Sequence, residues 1–100
     1  MSEEAVKRKL NNAIDSLANK YPATLYRKIK IGDASCPFNL EIFRDSEEKG
    51  SEVFKFRVIL DEITEIDIRL CQEYRMPGKI FTKIIACKLG RNEWKFKEIS

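Results

Sequence analysis

Val6, Leu10, Ala13, Ile14, Leu17 and Tyr21 recur at the three-and-four spacing of one helical face, and Lys7, Arg8, Asn11, Asn12, Asp15 and Asn19 take the other side. The pattern predicts one amphipathic helix over residues 3–19. Ser2 stands where an N-cap accepts from free first-turn amides, and Glu3 and Glu4 put negative charge at the positive end of the helix dipole. Pro22 disfavours helical geometry at Tyr21 and closes the segment.

Beyond it the period falls to two, the spacing of strands. Within residues 23–31, Leu25, Ile29 and Ile31 alternate with Tyr26, Lys28 and Lys30, and Arg27 interrupts the apolar side. Cys36, Phe38, Leu40 and Ile42 alternate with Asn39, Glu41 and Phe43, up to a solvated loop at 45–51. Phe54, Phe56, Val58 and Leu60 then alternate with a wet side of Lys55, Arg57 and Asp61. Residues 80–89 are apolar on both faces, Ile80, Ile84 and Ala86 on one and Phe81, Ile85, Cys87 and Leu89 on the other, as expected of a central or doubly covered strand. In the last segment Trp94 and Phe96 alternate with Lys95 and Lys97. The four glycines, Gly32, Gly50, Gly78 and Gly90, fall between these runs, where tight turns ask for positive φ.

Residues 62–76 fit two patterns. Ile66, Ile68 and Leu70 against Asp67 and Arg69 read as a strand, whereas Ile63, Ile66, Leu70 and Tyr74 form a helical stripe with Thr64 and Asp67 as a capping-box-like pair. The isoleucine content and a following Pro77-Gly78, suited to the centre of a type II turn, favour the strand. The fold class is therefore α+β: an N-terminal amphipathic helix packed on a curved antiparallel β-meander of five to six strands, with residues 63–75 helical as the alternative. Residues 1–100 form a single domain.

Six strands span roughly 24 Å, and one helix about 10 Å thick cannot cover them. Such a sheet curls around its helix, rolls towards a barrel, or pairs its uncovered face with another molecule, a homodimer included.

Charge is unevenly spread. Residues 1–40 carry seven bases and four acids, 41–74 five and ten, and 75–100 seven and two, giving +3, −5 and +5. No apolar run approaches the ~20 residues of a membrane helix, and no signal-peptide core follows the start, so the chain reads as cytoplasmic, or of the host cytosol for a viral source. Cys36, Cys71 and Cys87 are odd in number and lack metal-binding or disulfide-frame spacing, which reads as buried free thiols.

Candidate chemistry is thin. Without histidine the chain lacks the usual neutral-pH base, every His-dependent triad or dyad, and imidazole ligands. The acids Asp61, Glu62, Glu65 and Asp67 are close in sequence but lack the spacing and glycine of a calcium loop. No cofactor or metal is expected. Bases interleave with aromatics near the C-terminus, and a sheet that curled until its last strand neared its first would pool Tyr26, Lys28, Lys30, Arg91, Lys95 and Lys97 into one basic, nucleic-acid-binding patch. Trp94 and Phe96 fall on the opposite side from Lys95 and Lys97 and read as core rings. The function expected is a small non-enzymatic protein-binding module: a subunit, adaptor or inhibitor. The alternatives are nucleic-acid binding through the pooled patch and a ligand carrier or enzyme with a cavity between helix and sheet.

Overall fold

The computed structural model of the protein describes residues 2–20, 25–29, 36–46, 50–78 and 80–99. Its elements are α1 (Glu3–Lys20), β1 (Leu25–Lys28), β2 (Leu40–Ser46), β3 (Gly50–Ile59), α2 (Glu65–Glu73), β4 (Thr82–Lys88) and β5 (Trp94–Ile99). The class is α+β as the sequence predicts, with residues 63–75 taking the helical alternative over most of their length.

α1 begins as its sequence implies, with the Ser2 hydroxyl accepting from the Ala5 amide at 3.2 Å. Ala13, Ile14, Leu17 and Ala18 form its inward face. They pack on Leu40 and Ile42 of β2, Phe56 and Val58 of β3 and Ala86 of β4, with Leu10, Phe54, Ile84 and Trp94 at the margin.

The five strands lie in sequence order, β1-β2-β3-β4-β5. Three of the four pairings are antiparallel, and β3 with β4 is parallel, in register from Phe54↔Thr82 to Ile59↔Cys87. A parallel link needs a crossover, and α2 supplies it. The run at 62–76 is thus not an extra rung of the ladder. Thr64 and Asp67 form a full capping box, and that local chemistry outweighs the β-propensity of Ile63, Ile66 and Ile68. Gly78 follows Pro77 with φ +77°, the value a type II turn needs at its third residue. Gly50 also has positive φ, while Gly90 does not and Gly32 lies outside the described residues.

The second helix explains the two-faced β4. Ile84 and Ala86 belong to the α1 side. Ile85 joins Phe38, Cys71 and Ile99 in a second cluster on the α2 side, flanked by Ile29, Cys36, Ile59, Ile63, Ile68, Tyr74 and Phe81. Phe38 is fully buried there and meets Tyr74 edge-on, ring centroids 5.2 Å apart. Asn39 continues β2 towards this cluster: its side-chain amide donates to the Val58 carbonyl at 2.9 Å and its carbonyl accepts from the Val58 amide at 2.8 Å.

Lys55 and Arg57 are not on a wet face. Tyr74, just past the end of α2, and Phe81 lie against Lys55, and Asp67 of α2 meets Arg57, leaving Lys55 buried and Arg57 half-buried. Across the sheet the register sets Arg27, Glu41, Lys55 and Lys83 side by side. Glu41 accepts from Arg27 at 2.7 Å and lies 3.9 Å from the Lys55 ammonium. Lys55 also sits 4.7 Å from the centre of the Phe81 ring and 5.3 Å from that of Tyr74, whose negative faces suit a cation.

Candidate functional site: the outward ridge of α2

The orientation of α2 is decided by polar contacts at both of its ends. At the N-terminus, Asp67 Oδ2 accepts from the Thr64 amide and hydroxyl, both at 2.9 Å, and the Thr64 hydroxyl accepts from the Asp67 amide at 3.3 Å. The other carboxylate oxygen, Oδ1, accepts from Arg57 Nε of β3 at 2.9 Å. Arg57 is itself aimed by the Pro37 carbonyl, which accepts from its Nη1 at 2.9 Å. Burial alone would raise the Asp67 pKa, but the Thr64 amide and hydroxyl and the Arg57 guanidinium outweigh it and hold the carboxyl below its usual range. At the other end, Lys83 of β4 donates to the Gln72 carbonyl at 3.4 Å, a cation placed against the free carbonyls of a helix terminus.

These contacts turn Asp67, Ile68 and Cys71 towards the sheet. Cys71 has no exposed surface, and burial pushes its thiol up to about 11. The consequence is on the far side: Ile66 is 71% exposed and Leu70, one turn later, 43% exposed. The stripe of Ile63, Ile66, Leu70 and Tyr74 that the sequence offers as a helix's inward face is split, its ends half-buried and its middle presented to solvent. The sequence carried a signal for this. Asp67 at the third helical position is committed to the cap, and a carboxylate turned inward needs a base, which Arg57 provides from the interior of β3.

Asp67 is therefore consumed by the scaffold rather than shared with Asp61, Glu62 and Glu65. Among the described residues no three His, Cys, Asp or Glu side chains converge as metal ligands. All three cysteines are free thiols, Cys36 half-buried and Cys71 and Cys87 buried. On the flank of α2, Glu65, Ile68, Arg69 and Gln72 line a depression of about 240 Å³.

The residues of the expected basic patch are dispersed. β1 and β5 are the opposite edges of the described sheet, with three strands between them. Tyr26 and Lys28 are in register with Ile42 and Leu40, on the α1 side. Lys95 and Lys97 are in register with Cys87 and Ile85, on the α2 side. Lys28 reaches back to Asp15 of α1 at 3.0 Å, and Arg91 is exposed in the turn between β4 and β5. Lys30 lies outside the described residues. Trp94 and Phe96 stack on each other at 6.2 Å on the α1 side. Only Trp94 packs at the margin of the core, for α1 lies over β2 and β3 and Phe96 remains 42% exposed.

No helix among the described residues is long and apolar enough to cross a membrane. Comparison with known proteins brings no relative: no family model, no curated protein and no solved structure matches the chain.

Proposed function

We propose that this protein is a small non-enzymatic binding module, a subunit, adaptor or inhibitor that acts by occupying a protein partner. The observation that supports this most is the ridge of Ile66 and Leu70. A helix held by Arg57, Asp67 and Lys83 leaves two large aliphatic side chains partly in water, so that Ile66, 71% exposed, forgoes most and Leu70, 43% exposed, under half of the roughly 1.5–3 kcal/mol that full burial of such a side chain contributes. Helices that present apolar side chains one turn apart are a recurring way of meeting a partner segment.

The test is affinity capture from cell extract with the full chain and with an Ile66→Ser, Leu70→Ser variant, with and without nuclease. Loss of a stoichiometric protein partner from a variant that melts like the parent supports the reading. Capture of the same proteins by both sinks it, and capture abolished by nuclease gives the function to nucleic acid instead.

A further inference from the structure

β5 is an edge of the described sheet, and among the described residues nothing pairs with its outer rim. The Leu89 amide donates to the Glu93 carbonyl at 2.9 Å, which fixes the phase of the ladder between β4 and β5. Main-chain direction alternates along an antiparallel strand, so Lys95 and Lys97 bond to β4 while Trp94, Phe96 and Glu98 turn their amides and carbonyls outward. The side chains alternate as well. Lys95 and Lys97 stand on the α2 side, Trp94 and Phe96 on the α1 side, and residues 95–98 are all exposed. Free edges are commonly blunted by a bulge, a proline or a very short strand. β5 instead holds unbroken register from Lys83↔Ile99 to Lys88↔Trp94 and contains no proline.

Net charge does not choose a partner for this rim. On the α2 side Arg69, Arg75, Lys83, Lys95 and Lys97 answer the exposed acids of residues 61–73, and on the α1 side Lys88 answers Glu98. Register does choose, because it acts between side chains directly opposite one another, about 5 Å apart. A strand bonded to the rim must offer its own main-chain groups to Trp94, Phe96 and Glu98, so its positions facing Lys95 and Lys97 form the closer, non-hydrogen-bonded pairs. Neither lysine is in an ion pair among the described residues. In a second copy placed antiparallel, the registers that overlap most of β5 centre on Lys95, Phe96 or Lys97, and each sets lysine against lysine. Like charges so placed are destabilising, and the two lysines guard β5 against itself. The same two positions favour a strand that carries acids there.

We infer that the rim of β5 takes an extended acidic segment of a protein partner as an added antiparallel strand, with Asp or Glu side chains at alternate positions facing Lys95 and Lys97 and apolar side chains between them beside Trp94 and Phe96. The inference shares the protein-binding reading but uses a surface apart from the α2 ridge. Main-chain bonds to Trp94, Phe96 and Glu98 supply affinity, and the alternate side chains select the segment. Phe96, 42% exposed, is covered in the process.

The test is a titration of the full chain followed by amide chemical shifts and hydrogen exchange. The probes are three capped peptides of about eight residues, an ordinary strand length. One alternates valine with glutamate, the second has lysine for glutamate, and the third is the glutamate peptide with its valine amides N-methylated, which keeps the charges and loses the donors that face β5. The glutamate peptide should slow exchange at Phe96 and Glu98 more than at Lys95 and Lys97, whose amides are already bonded to β4, and bind at least about tenfold tighter than either control. Lys95→Gln with Lys97→Gln should cost about tenfold in affinity and flatten its dependence on salt. Ile66→Ser with Leu70→Ser should leave the affinity unchanged, because the α2 ridge takes no part. Loss of binding in that variant would move the peptide to α2 and overturn the inference. Equal binding of the lysine peptide overturns the acidic preference, equal binding of the methylated peptide overturns strand addition, and no change within 94–99 overturns both. A dimer in sedimentation whose formation protects the Phe96 amide would give the rim to a second copy instead.

Discussion

Asp67 of α2 accepts a hydrogen bond from Arg57 of β3 at 2.9 Å while closing the capping box with Thr64, so one carboxylate both starts the helix and sets its rotation on the sheet. Breaking that pair should do more than remove a surface ion pair, because Asp67 is buried and Arg57 is largely enclosed. Arg57→Met is expected to cost about 1–3 kcal/mol, the penalty of stranding a buried hydrogen-bonding group, and to lower the urea midpoint accordingly. It should also change hydrogen exchange across 64–73 more than across β2. Uniform loss of protection throughout the sheet would contradict a local role.

The same contact makes a prediction about acid. The folded-state pKa of Asp67 lies below its unfolded value, so its contribution to stability is fully present above about pH 4 and is lost as pH falls through the folded value. Urea midpoints measured at about pH 6 and about pH 3 should therefore fall more for the parent than for Asp67→Asn, which has no carboxyl to titrate. Parallel acid limbs for the two proteins would show that Asp67 gains nothing on folding.

How far this arrangement was legible differs from element to element. α1 and the strands follow from period alone, because the alternation along each is local and survives even in β4, where both faces are covered. The rotation of α2 does not, because the residues that decide it, Arg57 and Asp67, read as wet positions until one is set against the other. Lys55 was hidden for the same reason: its neutralising partner Glu41 lies on another strand, and the rings of Tyr74 and Phe81 come from beyond the crossover. The dispersal of Tyr26, Lys28, Lys95 and Lys97 followed from the placement of β1 and β5 at opposite edges, which no local pattern encodes.

Thiol reactivity reports on the second core cluster. Burial pushes the Cys71 thiol up to about 11, and the Cys87 thiol is raised by burial first and by the nearby Asp61 second. Both are enclosed, whereas Cys36 is half-buried. Under native conditions near neutral pH a thiol reagent should modify Cys36 at least about tenfold faster than either of the others, and all three should react in denaturant. Comparable rates at Cys71 and Cys36 in the folded protein would show that α2 does not seal the cluster.

The charged row across the sheet allows a sharper test, since breaking a buried pair and replacing it have different consequences. The side chains of Lys55 and Glu41 are 7% and 8% exposed, and Arg27, the other partner of Glu41, is largely in solvent. Glu41→Gln strips the carboxylate from beside a buried ammonium and leaves it only the faces of Phe81 and Tyr74, so a loss of about 3 kcal/mol or more is expected. Glu41→Leu with Lys55→Leu removes both charges and fills the space with apolar groups, a change that is often neutral or stabilising. The double variant should therefore be more stable than Glu41→Gln by roughly 2 kcal/mol or more, read from urea midpoints at neutral pH. A double variant no more stable than the single one would mean that the ammonium at Lys55 is held by the rings and not by Glu41. The row Arg27, Glu41, Lys55 would then be a chance of register rather than what lets β3 place a lysine beneath Tyr74.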